Sequence, residues 1–343
     1  MASDKPSTGI IPFAKATEIK RIDANTYQAN LVDSFCIGAV PNGGYVASCI
    51  LQAAILHGSS RSRSRSPSNP QPHVLNAHFE YLNRTEVGPA TIIIEDVKPG
   101  RQLTTLHATL YQGGGSVQIS SSSPEATRGK KRLTAYLVMT NLSSLQGISL
   151  DTQFLLVPPP LTLTKPNFGL LKENKDPSWT NIQLPPGFSY IRALQNIKFY
   201  IPRQGQVRKS IIDLWICLAS GERFTDATLG YVSDCWPYVV EAYRPRDEKE
   251  NEGAAFRHDA KHWYPTVVMN VEQKKAAPKE GWEWLRMRVS SKEVRGGRFD
   301  LEVLVMDEMG ELVVVSNHVG LVLGSERNLA GRAKGEMKGQ SRL

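Results

Sequence analysis

The sequence predicts an α+β chain of two tandem units, each an antiparallel sheet wrapped around a long buried helix. Three observations carry that prediction. Two stretches, from Tyr45 to Leu56 and from Phe224 to Tyr243, are apolar on nearly every side, as a helix covered on all faces must be. Each is followed by strand-like segments divided by glycine turns. Those turns recur at similar intervals, about 14 residues from Gly100 to Gly114 and about 13 from Gly297 to Gly310, which marks an internal duplication. A long apolar helix beside an antiparallel sheet is best covered by wrapping the sheet around it.

Taken in order, residues 1–14 read as disordered, and Lys15 to about Leu31 as a strand. The glycine-rich approach Phe35 to Gly44 opens the first helix. The backbone amides of Gly43, Gly44 and Tyr45 lie at its positive end, which suits either a carbonyl oxygen or anion or simply a tight turn that admits close packing. Gly58 is the expected helix stop. Segment 59–70, an Arg/Ser-rich insertion, reads as a loop and a candidate for phosphorylation. Strands are expected from His73 to Tyr81, Ala90 to Val97, Gln102 to Gln112, Ser116 to Ser122 and Leu133 to Met139. Pro99-Gly100 and Gly113 to Gly115 provide turns between them. The prolines between Pro158 and Pro186 make residues 141–190 a linker. The second unit, residues 191–325, starts with strands from Ile191 to Tyr200 and Lys209 to Leu218. After its helix, strands return from Thr266 to Gln273, Trp284 to Val289, Phe299 to Met306 and Leu312 to Leu323. Residues 15–140 form the first unit, and 326–343 a basic tail.

Composition narrows the function classes. The 343 residues are 41% hydrophobic and 22% charged, ordinary for a globular protein long enough for two units. No apolar run reaches the ~20 residues of a membrane helix, and the start has no signal-peptide core. Cys36, Cys49, Cys217 and Cys235 form no CxxC pair and read as reduced core thiols. The net charge of +8 gathers at Arg61, Arg63 and Arg65, at Arg128 to Arg132, and in the tail from Arg327. Aromatic residues do not interleave with these clusters, so a solvated basic surface is preferred over a nucleic-acid site. A polyanionic small ligand such as coenzyme A would also suit it. No Gly-x-Ser-x-Gly elbow occurs, which argues against a serine hydrolase. His57, His73, His78 and His107 lack metal-ligand spacing. His258 and His262 flank Asp259 in a polar loop and are not read as metal ligands.

Asp234 stands out. It sits in the apolar body of the second helix with no Lys or Arg within a turn, and a buried carboxylate without strong donors is costly.

These residues resemble the double-hotdog acyl-CoA thioesterases, the group that includes thioesterase II, and more closely the fungal thioesterase-like proteins. The resemblance rests on Pro41-Asn-Gly-Gly-Tyr45, Ala77-His-Phe-Glu-Tyr-Leu82, Gly100-Arg-Gln-Leu-Thr104 and Leu229-Gly-Tyr-Val-Ser-Asp234 in that order, and covers residues 15–140 and 190–325. It implies a double hotdog fold and hydrolysis of acyl-CoA or a related thioester in fatty-acid or secondary metabolism, without cofactor or metal. A water would be held by Asp234, by Thr266 in Tyr264-Pro-Thr, and by the residue at the family's Gln position, here His318. Imidazole in place of the amide is a departure that adds a titratable group able to act as a base. Two alternatives share the fold: a biosynthetic enzyme using Asp234 and His318 for dehydration, cyclisation or isomerisation, and a non-catalytic acyl-binding protein. The resemblance is also compatible with a homodimer. The ending Ser341-Arg342-Leu343 resembles a peroxisomal import signal, which makes the import receptor a partner and the peroxisome, otherwise the cytoplasm, the expected location.

Overall fold

The computed structural model describes residues 10–65, 70–113, 129–162, 164–183 and 188–325. The expected strand from Ser116 to Ser122, the tail 326–343 with Ser341-Arg342-Leu343, and part of the Arg/Ser-rich insertion lie outside the described residues.

The first unit contains β1 (Thr26–Leu31), helix α1 (Gly43–Arg65), β2 (His73–Tyr81), β3 (Gly88–Lys98), β4 (Thr104–Gln112) and β5 (Lys130–Thr140). The second contains β6 (Ile197–Pro202), β7 (Ile211–Leu218), α2 (Leu229–Asp234), β8 (Thr266–Gln273), β9 (Leu285–Ser290), β10 (Arg298–Met306) and β11 (Leu312–Leu321). These eleven strands are antiparallel neighbours in one continuous sheet. Its order runs β1-β3-β4-β5-β2, then β8-β11-β10-β9-β7-β6. Each half mirrors the other about the β2–β8 pair, where His78 faces Asn270 and Phe79 faces Met269. The duplication expected from turn spacing is thus present in the strand order.

Alternation on each strand explains the wrap. In β10 the burial pattern alternates along Phe299, Leu301, Val303 and Val305, which face the core. α1 is the chief core helix: Tyr45, Val46, Ala47, Cys49, Ile50, Ala53 and Ala54 are all buried in one cluster with both halves of the sheet. All four cysteines are buried thiols, not disulfides.

Several boundaries differ from expectation. Gly58 does not end α1, which continues to Arg65 into the segment read as a loop. A Cβ at Gly58 would lie 2.7 Å from the Gln71 carbonyl oxygen, so this glycine admits a close chain crossing. The second helix is short. Residues 226–228 form a 3-10 turn, α2 has 6 residues, and Pro237 to Tyr243 is again 3-10. Pro237 is the cause, because it pushes the preceding Trp236 out of the helical region, to φ −130° and ψ 69°. Asp234 therefore ends its helix rather than sitting mid-helix. At the N-terminal end, Phe13–Ala16 is a helical turn that spans the end of the stretch 1–14 expected to be disordered and the start of the strand expected from Lys15, and Phe13 stacks on Tyr231.

The linker is not a bare connector. Its short helix Phe168–Lys172 lies on the outer face of the second unit and its strand Trp179–Asn181 extends the sheet by pairing with β6, so that Leu171 and Trp179 join Tyr200, Trp215 and Trp284 in a second core. Trp284 packs there, and Trp282 bridges Phe224.

Candidate active site

The two helices meet at their glycines. A Cβ at Gly44 would lie 2.5 Å from the Gly230 carbonyl oxygen and 2.6 Å from Asp234 Cβ, so only a bare Cα lets α1 approach this closely. The crossing is held by reciprocal bonds. Gly44 N donates to Asp234 Oδ2 at 2.7 Å, and Tyr231 N donates to Ser48 Oγ at 2.9 Å. Because the obstructing atom at Gly44 is backbone, Gly44→Ala is expected to destabilise the chain by about 1–3 kcal/mol in urea unfolding. An unchanged midpoint would mean that the helices separate freely.

Asp234 is thereby fixed against the positive end of α1. Its Oδ2 also accepts from Asn42 Nδ2 at 3.2 Å, and its Oδ1 accepts from Thr266 Oγ1 at 2.7 Å. Thr266 opens β8 at a register shift between Thr266 and Val268, a bulge that turns its side chain toward the helix end. Burial drives the Asp234 carboxyl up to about 6, against the pull of Thr266, Gly44 and Asn42. Among the described residues no Lys or Arg pairs with it.

His318 stands on β11 with its side chain fully buried and Nδ1 3.7 Å from Asp234 Oδ1. Its Nε2 contacts Ser316 Oγ at 2.9 Å. Burial drives the imidazole down to about 3, so it is neutral at any physiological pH. All three residues singled out in the sequence therefore converge. They do not share one surface, however. A cleft of about 200 Å³ is lined by Asp234 and Thr266 together with Asn42, Gly43, Tyr81 and Tyr264, but not by His318, which is sealed behind the carboxylate. Burial leaves His318 both shielded and weakly basic, which does not suit the base that an imidazole at this position is able to be.

The three amides at the start of α1 also divide. Gly44 N is committed to Asp234, and Tyr45 N to Asn42 Oδ1 at 2.9 Å. Gly43 lines the cleft, and its N–H has no acceptor among the described residues. Gly43 alone of the three keeps a donor for a substrate oxygen. Tyr81, whose hydroxyl donates to the Gly43 carbonyl at 3.0 Å, was not anticipated, since nothing in its strand pattern separates a cleft tyrosine from a packing one.

The remaining six histidines have protein partners: His57 with Tyr27 at 3.0 Å, His73 with Leu142 N at 3.0 Å, His78 with Asn270 at 2.6 Å, His107 with Thr134 at 2.7 Å, His258 with Asn251 at 2.8 Å and His262 with Arg244 at 3.0 Å. Arg132, read as part of a solvated cluster, is buried and bonds Glu86 and the Arg84 carbonyl.

The duplication gives an internal comparison. Gly44-Tyr-Val-Ala-Ser-Cys49 repeats as Gly230-Tyr-Val-Ser-Asp-Cys235, which pairs Ser48 with Asp234. The matching bulges in β2 and β8 pair Val74 with Thr266, and the register beyond them pairs Leu137 with His318. The position related to the polar cluster is therefore Ser48, Val74 and Leu137, which lacks any acid or base. Among the described residues there is one such cluster.

A family model described as the acyl-CoA thioesterase N-terminal domain matches residues 31–127, and one described as the C-terminal domain matches residues 169–322. The chain is 41% identical to the thioesterase-like protein TwmA of Talaromyces wortmannii, over 98% of this chain and 99% of that one. Among solved structures it resembles a conserved protein of unknown function with hot dog fold from Alicyclobacillus acidocaldarius, with TM-score 0.64 and 15% identity over 90% of this chain and 97% of that one. It also resembles the acyl-CoA thioesterase II TesB2 of Mycobacterium marinum, with TM-score 0.53 and 17% identity over 91% and 98%.

Proposed function

The chain belongs to the acyl-CoA thioesterase family, and on that premise we propose that it hydrolyses an acyl-CoA or a related acyl thioester to the free acid and the thiol. The observation that carries the reading is Asp234, a buried carboxylate on the wall of a cleft with no Lys or Arg paired to it among the described residues.

The Thr266 hydroxyl spends its proton on Asp234, so its oxygen is left to accept from a water in the cleft. Asp234 takes the second proton of that water as its oxygen attacks the thioester carbonyl carbon. The carbonyl oxygen becomes an oxyanion facing the Gly43 N–H at the positive end of α1, where one donor is worth ~10²–10³ in rate. Collapse breaks the carbon–sulfur bond, and the departing sulfur recovers the proton from Asp234. His318 touches neither water nor substrate and acts through the carboxylate. The proposed units are residues 15–140 and 191–325, with the site assembled from both.

Free-thiol release from acyl-CoAs of graded chain length, with labelled water placing one solvent oxygen in the acid, tests the reaction. Release without isotope in the acid would exclude hydrolysis. The pH dependence has a defined sign. The base works when ionised, so kcat should rise with pH through a midpoint near 6 and be lost below it. A flat profile between about pH 5 and 8 would remove Asp234 as the base.

A further inference from the structure

The Ser316 hydroxyl resolves which proton His318 carries. Ser316 Oγ lies 2.5 Å from the Asn270 carbonyl oxygen, which only accepts, so the single hydroxyl proton points there. The contact at 2.9 Å between Ser316 Oγ and His318 Nε2 must then be donated by the ring. A neutral imidazole with its proton on Nε2 has a bare lone pair on Nδ1. That lone pair faces Asp234 Oδ1, and Nδ1 has no hydrogen-bond partner among the described residues.

We propose that Ser316 locks His318 in the Nε2–H tautomer, so that an acceptor rather than a donor faces Asp234 and the carboxyl becomes a stronger base than an amide at position 318 would allow. His318 is thus a positioning residue. This rests on the hydrolytic reading for its consequence, though not for its test.

The physical argument is one of sign. Donors to a carboxylate favour its ionised form, whereas a lone pair facing it disfavours that form. The other groups around Asp234 leave the effect uncompensated. Asn42 and Gly44 from α1 and Thr266 from β8 donate but carry no charge. The titratable neighbours are Tyr81 from β2, Cys235 beside it and Tyr238 in the following turn, and burial holds all three above their ordinary values and therefore neutral. A general base is most effective when its proton affinity approaches the working pH, and a carboxylate with a donor at every lone pair would be too weak. The orphaned Nδ1 is the cost of that tuning.

Two measurements test it, and neither needs turnover. Nitrogen-15 NMR of histidine-labelled wild-type protein should show the His318 Nδ1 unprotonated and Nε2 protonated throughout about pH 5–8. Infrared difference titration, with the Asp234 band identified by its absence in Asp234→Asn, should place the carboxyl midpoint in His318→Gln lower by about one unit, because the amide can turn a donor toward Oδ1. Where thioester hydrolysis is measurable, the acid limb of the same variant should move down with it and the plateau kcat should fall. A protonated Nδ1 in the wild type, or a midpoint in His318→Gln equal to or above the wild-type value, overturns the proposal. A chain that releases no thiol from any thioester would refute the hydrolytic reading and still report the tautomer and the midpoint.

Discussion

Asp234→Asn is expected to lower kcat for acyl-thioester hydrolysis by about 10²–10⁴-fold, with the fold intact. The amide cannot take a proton from water, yet it fits the same place. Its oxygen can accept from Gly44 N and Asn42, as Oδ2 does now. Its NH₂ then points at Thr266 Oγ1, which can rotate to accept, and at the unpartnered His318 Nδ1. The substitution should therefore leave stability equal to or above wild type. The linkage agrees. The folded carboxyl, at about 6, holds its proton more tightly than its ordinary value of 3.8, so the wild type loses stability from this group as pH rises from 3.8 through about 6. At pH 7 the variant is spared that loss. Thiol release and thermal unfolding on the same preparations decide the matter. A variant with wild-type turnover would remove Asp234 from the mechanism, and one that is inactive because it is unfolded would contradict the satisfied geometry described above.

How much of this could be read beforehand depended on what each residue signals locally. The sheet was legible because alternation and glycine turns repeat in both halves, and such patterns do not depend on distant contacts. The length of α2 was not, because the apolar run from Leu229 to Tyr243 hides a backbone fact, namely that Pro237 forbids helical geometry at Trp236. Gly58 shows the converse. A glycine near a helix end signals a stop, yet here it serves the crossing with Gln71, a contact that only the tertiary structure reveals. At the site, Asp234, Thr266 and His318 could be picked out by motif and order, while their different access to the cleft could not. Burial behind another side chain leaves no trace in spacing. One missed signal was present: the repeat of Gly-Tyr-Val at residues 44–46 and 230–232 aligns Ser48 with Asp234 and shows that a single half carries the carboxylate.

The same outer face that the linker covers holds the strongest stability prediction. Arg288 on β9 and Asp213 on β7 form a paired two-bond contact, Nε to Oδ1 at 2.8 Å and Nη2 to Oδ2 at 2.7 Å, with side chains 4% and 1% exposed. Arg288 Nη1 also donates to the Pro158 carbonyl at 2.5 Å, tying the linker to the sheet. Arg288→Met leaves a buried carboxylate without its cation, a change expected to cost about 3–5 kcal/mol in chemical denaturation. Replacing both partners, as Asp213→Leu with Arg288→Met, should recover most of that loss, because the cost lies in the abandoned charge rather than in the missing attraction. Arg286 is the competitor among the described residues. It stands two residues away on the same face of β9, with Nε and Nη2 lacking partners among the described residues, and burial draws its pKa down. If it swings to Asp213, the single variant loses less than 3 kcal/mol, and adding Arg286→Met should restore the full penalty. Equal losses in the single and double-partner variants, with or without Arg286, would mean that the pair contributes by packing alone.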